Sequence, residues 1–188
     1  MGNLYIGLLH YPMRNRRGEI VTTAMTSMDV HDIARTARTF GALQYYVVTP
    51  MKTQREIARK LRGYWTEEER TRENSNRGEA LELVSVLDKL DEGILDITDR
   101  EEQDPLLVGT SARELPEARI GYEEAGKNLR EESQPMFVLF GTGWGMADEL
   151  TERLDYLLPP IEGTGDFNHL SVRAAIAITL DRLRGSGK

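Results

Sequence analysis

The chain has no cysteine among its 188 residues. That excludes disulfides and thiolate metal sites, and it makes a cytoplasmic home the expectation. Long apolar runs are also missing, and nothing approaches the roughly twenty residues needed to cross a bilayer. In MGNLYIGLLHYPMRNRR the basic residues follow the apolar stretch, the reverse of a secretory leader. Ile6 occupies the place where an N-myristoylation signal needs Ser or Thr. No membrane association is therefore expected. Histidines number three; His10 and His31 are far apart and lack acidic partners at ligand spacing, so no metal is expected. No GxxxxGK[ST] phosphate loop occurs, and no GxGxxG follows the first strand. Positive charge is in the minority, 24 basic against 31 acidic residues for a net −7. This disfavours indiscriminate binding to nucleic acid but leaves room for a local basic patch.

What the chain does have is alternation. A content of 39% hydrophobic and 29% charged residues is that of a soluble globular protein. A single domain spanning 1–188 is expected. Apolar or β-branched runs at Leu4–Leu9, Tyr45–Thr49, Leu81–Val86, Leu106–Val108, Met136–Phe140 and Asp155–Leu158 predict strands. Helical spacing predicts helices over Asp29–Phe40 (capped by Asp29), Gln54–Tyr64, Asp88–Glu102, Glu117–Arg130, Met146–Arg153 and Ser171–Leu183. Gly121 and Gly126 weaken the fourth of these. The run Thr66–Arg77 is highly charged and expected in solvent. Strands that are apolar throughout need helices on both faces, so the fold class is α/β with a mainly parallel sheet.

In such sheets ligands bind beyond the carboxyl ends of the strands. Three strand ends here open into small, glycine-bearing segments: Gly109-Thr110-Ser111-Ala112-Arg113, Gly141-Thr142-Gly143-Trp144-Gly145, and the stretch from Pro159 to Ser171. Turn-making explains one such loop, whereas three together favour a ligand site where main-chain groups lie bare. Without a phosphate cradle the loops suit an adenosine held by base and ribose edges. Trp144 either covers that ligand or packs as a half-buried ring.

Three segments come in a fixed order: Arg35-Thr36-Ala37-Arg38-Thr39-Phe40-Gly41, Leu139-Phe140-Gly141-Thr142-Gly143, and Asn168-His169-Leu170-Ser171-Val172-Arg173-Ala174-Ala175-Ile176. In these the chain resembles, over essentially its whole length, the SPOUT class of S-adenosylmethionine-dependent RNA methyltransferases. It is most similar to a small bacterial branch that stands alone or is fused to a tRNA guanine-N1 methyltransferase. The resemblance implies a deep trefoil knot in the C-terminal part, S-adenosylmethionine as cofactor, tRNA or rRNA as partner, and a homodimer with a shared active site. By position it implies cofactor contacts from Thr110, Ser111, Gly141, Thr142, Gly143, Ile161, His169, Leu170 and Ser171, beside the Trp144 already noted. It makes Arg35 the arginine that ribose-methylating relatives place at the target nucleotide.

Departures from the pattern are plain. The loop Thr142-Gly143-Trp144 lacks the acidic residue of those relatives. His169 stands where they carry asparagine, with Asn168 just before it, and Asp29 occupies the asparagine position of the first motif. Arg35 either stabilises developing negative charge or forms a solvated ion pair with Asp29 and Asp32. His169 is of a residue type that can exchange a proton near neutrality, or it holds Asn168, or it is structural. The basic run Met13-Arg14-Asn15-Arg16-Arg17 and Arg113 are candidates for RNA contact. Two other readings are a cofactor-binding module assisting a partner methyltransferase and an ordinary doubly wound nucleotide enzyme.

Overall fold

The computed structural model describes residues 1–67, 76–115, 119–165 and 167–185. The chain opens with strand β1 (Leu4–Leu9), a small antiparallel hairpin of β2 (Met13–Arg14) and β3 (Ile20–Val21), and helix α1 (Ser27–Thr39). Then come β4 (Gln44–Val48), α2 (Lys52–Glu67), α3 (Asn76–Leu81), β5 (Val84–Leu87) and α4 (Leu90–Glu101). The second half runs β6 (Leu106–Gly109), α5 (Tyr122–Glu131), β7 (Met136–Gly141), α6 (Asp148–Thr151), β8 (Tyr156–Leu157) and α7 (Val172–Arg184).

Six strands make one sheet in the order β5-β4-β1-β7-β6-β8, every pairing parallel. The apolar runs expected to be covered on both sides are covered. Leu4, Ile6 and Leu8 of β1 pack in one core layer with residues of α1, α3, α5 and α7. Tyr5 and Leu9 pack in the other with Leu90 and Ile97 of α4 and Leu150 of α6. The chain first builds outward from β1 through β4 to β5, then returns to lay β7 on the opposite side of β1. The order reverses between β1 and β7, which is where open parallel sheets leave a crevice.

Several boundaries differ from those expected. Helix α1 starts at Ser27, because Thr26 is the cap and Asp29 is its third-residue partner in a capping box. Asp29 is buried and also accepts a hydrogen bond from Arg173 at 2.8 Å, with Arg173 lying 3.5 Å from Asp32. This ion pair ties the first turn of α7 to the first turn of α1. The expected strand at Leu81–Val86 divides into the end of α3 and strand β5. The expected helix at Met146–Arg153 shortens to the single turn α6. Helix α5 begins at Tyr122 with Gly121 as its cap. Most of the charged run 66–77 lies outside the described residues.

Gly126, a weak residue for a helix, has a packing reason. A Cβ on it would come 2.9 Å from the main-chain oxygen of Leu183, so α5 and α7 meet backbone to side-chainless backbone. Gly126→Ala should therefore cost about 1–3 kcal/mol through overpacking against a gain of roughly 1 kcal/mol in helix propensity, for a net loss of up to about 2 kcal/mol. A urea midpoint at or above wild type would show that the two helices separate freely.

Candidate functional site

At the carboxyl ends of β6, β7 and β8, three loops enclose a cleft of about 520 Å³, within the range of small-molecule sites. Thr110 to Arg113 follow β6, Gly141 to Gly145 follow β7, and Pro159, Ile161 and Asn168 to Leu170 follow β8. The floor is mostly apolar: Phe140 from β7, Tyr122 from α5, and Val172, Ala175 and the buried Thr179 from one face of α7.

One contact joins each pair of loops. Arg113 Nη2 donates to the Trp144 carbonyl at 2.9 Å. Asn168 Nδ2 donates to the Ala112 carbonyl at 3.2 Å. The His169 ring meets Trp144 edge to face, centroids 6.3 Å apart at 67°. Thr110 is fixed to its neighbouring strand, since its N–H and its hydroxyl both donate to the Leu139 carbonyl, at 3.1 and 3.0 Å.

The Gly141–Gly145 loop is held from below by the chain leaving β1. Arg14 N–H donates to the Gly145 carbonyl at 2.8 Å, Trp144 N–H to the Arg14 carbonyl at 3.0 Å, and Ala147 N–H to the Pro12 carbonyl at 3.1 Å. The Thr142 hydroxyl donates to the Leu9 carbonyl at 2.9 Å and also contacts the Thr23 hydroxyl. Thr23 meets Nδ1 of the fully buried His10 at 3.0 Å. These contacts change the reason for the glycines. A Cβ on Gly141 would stand 2.9 Å from the Met146 side chain, so this position is bare to admit protein rather than ligand. Gly143 and Gly145 take φ of +61° and +103°, which L side chains rarely adopt.

Among the residues named from sequence, Thr110, Ser111, Gly141, Thr142, Gly143, Trp144, Ile161, Asn168, His169 and Leu170 line this one cleft. Ser171 does not; its hydroxyl caps α7, accepting from Ala174 N–H at 3.3 Å. Arg35 does not line it either. It is exposed on α1, and Arg173 rather than Arg35 holds Asp29 and Asp32. Arg113 lines the mouth. In the basic run, Arg14 is paired with Asp148, while Arg16 and Arg17 are exposed in the hairpin turn. The floor residues Tyr122, Val172, Ala175 and Thr179 stand on helices, so the glycine-bearing loops gave no sign of them. The spacing of the last three along one helix face was the available signal. Among the described residues no group of acids and histidines could hold a metal.

Residues 3–185 match the model of a family described as SAM-dependent RNA methyltransferase. The chain is 43% identical over 181 residues to an uncharacterized protein of Aquifex aeolicus, covering 96% of this chain and 88% of that one. It is 41% identical over 183 residues to a tRNA (guanine-N(1)-)-methyltransferase of Oleidesulfovibrio alaskensis, covering 97% of this chain but only 42% of that one. In fold it is similar to a probable methyltransferase from Bordetella pertussis, with a TM-score of 0.65, 17% identity, and 97% and 95% of the two chains covered. The SpoU methyltransferase AviRb from Streptomyces viridochromogenes, solved in complex with AdoMet, gives a TM-score of 0.60 at 16% identity, covering 100% of this chain and 59% of that one.

Burial pushes the pKa of His10 down to about 4, with Asp29 opposing the shift in part. The folded protein thus keeps His10 neutral while the unfolded chain takes up a proton below about 6.5. Stability from this group is complete above pH 6.5 and is lost as pH falls towards 4, on the order of 3 kcal/mol in total. His10→Gln should flatten that part of the pH profile of the urea midpoint. An unchanged slope in the variant would remove His10 as its source.

Proposed function

The chain belongs to the SAM-dependent RNA methyltransferase family, and from that footing we propose that it methylates a nucleotide of tRNA or rRNA at the three-loop cleft. The observation that carries this reading is the gathering of three sequence-distant loops over an apolar floor, each bonded to the next. The site suits S-adenosylmethionine: the floor of Phe140, Tyr122, Val172 and Ala175 offers an apolar slot for a purine, and the loops bring main-chain groups to its edges. Bound there, the cofactor supplies an electrophilic methyl group on a sulfonium.

The protein's own residues then have distinct tasks. Asn168 fixes the third loop against the first. Trp144 and His169 form the lip where an acceptor would enter. A His169 ring nitrogen takes the proton that leaves the acceptor, since no carboxylate lines the cleft among the described residues. Arg113, a planar fork of donors at the mouth, steadies a phosphate or a developing oxyanion. Arg16 and Arg17, raised on the hairpin beside the Gly141–Gly145 loop, meet the RNA backbone. The lack of a carboxylate also sustains a second reading, a cofactor-binding module that assists another methyltransferase. The chain spans only 42% of the tRNA methyltransferases it matches.

We assign the chain one domain, acting in the cytoplasm as a homodimer. Arg35 is exposed, does not line its own chain's cleft, and lies seven residues from the exposed Met28 on the same side of α1. That placement suits a residue completing the cleft of a second copy. A trefoil knot fits the path after β8: that strand is at the sheet edge, yet α7 returns to pack on α1 and α5, so the connection recrosses the ends of β6 and β7.

Calorimetry should show S-adenosylmethionine binding, and labelled methyl should pass to bulk tRNA or rRNA. His169→Ala should cut transfer by roughly 10²–10⁴-fold with cofactor affinity nearly unchanged. Binding without any transfer by the wild type would favour the module, and absence of binding would defeat both readings. For the shared cleft, Arg35→Ala and His169→Ala proteins should each be inactive alone and regain part of the activity when mixed as heterodimers. A lack of rescue in demonstrated heterodimers would assign both residues to one chain's own cleft, and an active Arg35→Ala protein would remove Arg35 from the site altogether.

A further inference from the structure

The lip of the cleft carries an unusual concentration of uncovered aromatic surface. Trp144 is 49% exposed and Phe167 79% exposed. Both rings approach His169 edge to face, Phe167 at 5.3 Å and 69°, Trp144 at 6.3 Å and 67°. Scattered exposed apolar side chains are ordinary, but adjoining exposed rings beside a cleft form a patch of the kind that marks a binding surface. Trp144 and His169 also line the cleft, so whatever settles on them lies directly over the site. Two features keep Trp144 in place. Its N–H is held by the Arg14 carbonyl at 3.0 Å, and its carbonyl by Arg113 at 2.9 Å. A ring carried on a fixed backbone and open on its face has less freedom to lose when a flat partner stacks on it.

We infer that Trp144, Phe167 and His169 form a stacking seat for a nucleobase, and that the seat selects an unpaired nucleotide over one held in a duplex. This rests on the proposed RNA methyltransfer and deepens it. The chemistry of the surroundings favours nucleic acid over protein as the occupant. Arg113 lies at the seat and the exposed Arg16 and Arg17 stand on the adjoining hairpin, so a base on the rings would have its phosphates on the cationic side. A paired base cannot present its face to the rings or its edge to the cleft without leaving the stack, which costs energy that a single-stranded base does not spend.

The decisive comparison uses a mixed-sequence RNA of about 12 nucleotides, long enough to fill a stacking site, and the same strand annealed to its complement. The single strand should quench tryptophan fluorescence more strongly than the duplex, and the quench should vanish in Trp144→Ala. Trp144→Ala and Phe167→Ala should each weaken single-strand binding by roughly 5- to 100-fold, the range of one base stack. Trp144→Tyr should recover most of the loss and Trp144→Leu should not. The deficit should persist at raised salt, where phosphate contacts fade. Equal binding of strand and duplex, or unchanged affinity in both alanine variants, would overturn the inference. So would variants that instead lower the dimer mass, since the rings would then be a contact between copies. S-adenosylmethionine affinity measured on each protein keeps the two readings apart: its absence in wild type would defeat the methyltransfer proposal, while retained affinity with failed strand preference would defeat the seat alone.

Discussion

The cleft depends on a backbone constraint: the chain leaving β1 is hydrogen-bonded to the chain leaving β7. Loops at strand ends are ordinarily the mobile parts of an α/β fold. Here the glycine loop has a partner instead. Arg14 exchanges main-chain bonds with Trp144 and Gly145, Ala147 reaches Pro12, and Thr142 is tied to Leu9 and Thr23. The main-chain polar groups used in this way are satisfied by protein and are no longer free to turn. The shape of the loop is therefore set by the first thirty residues, and the hairpin that carries Arg16 and Arg17 is part of the same bonded unit.

The two ends of the sheet are built on opposite terms. At the amino ends of the strands, Tyr5 is bonded to Glu101, Tyr46 to Asp96, and Arg100 to Asp96 and Gln44. Burial and those carboxylates push both tyrosine pKa values upward. Every hydroxyl there has a partner, and α4 is fastened to the sheet by them. At the carboxyl ends the Trp144 and Phe167 rings face solvent, and the polar side chains stitch loop to loop as well as loop to sheet. The closed end supplies rigidity, and the open end supplies room.

Much of the architecture was legible because burial on both faces writes itself as continuous apolar runs, as in Tyr45–Val48 and Met136–Phe140. The three loops that line the cleft were legible because small residues clustered at three strand ends. What escaped was whatever depends on a distant segment. The two-residue strands of the hairpin are too short for any periodicity. Gly141 looks like a residue bared for a ligand until Met146 is seen against it. Asp29 looks like a cap, and only the arrival of Arg173 from 144 positions later shows that it also orients α7. Ser171 was grouped with the cofactor loop, but its hydroxyl is used by its own helix. Arg35 stands outside its own chain's cleft, and a motif gives position in sequence with no information on what the side chain faces.

The chain carries a net −7, yet no carboxylate lines the cleft among the described residues, and Arg113 stands at its mouth. A polyanion is thus repelled by the molecule at large and tolerated at one rim. Such an arrangement gives up nonspecific affinity, which in nucleic-acid binding is mostly counterion release, and leaves discrimination to contacts that are not electrostatic. On the proposed reading the aromatic lip and the shape of the cleft must then carry recognition. The same absence of acid limits the chemistry. On the proposed reading, with no carboxylate lining the cleft among the described residues, the acceptor is acidified by its own structure or by a neighbouring guanidinium, or loses its proton to His169. An acceptor ring N–H is easier to serve on those terms than a ribose hydroxyl, because the ring delocalises the electron pair as the proton leaves.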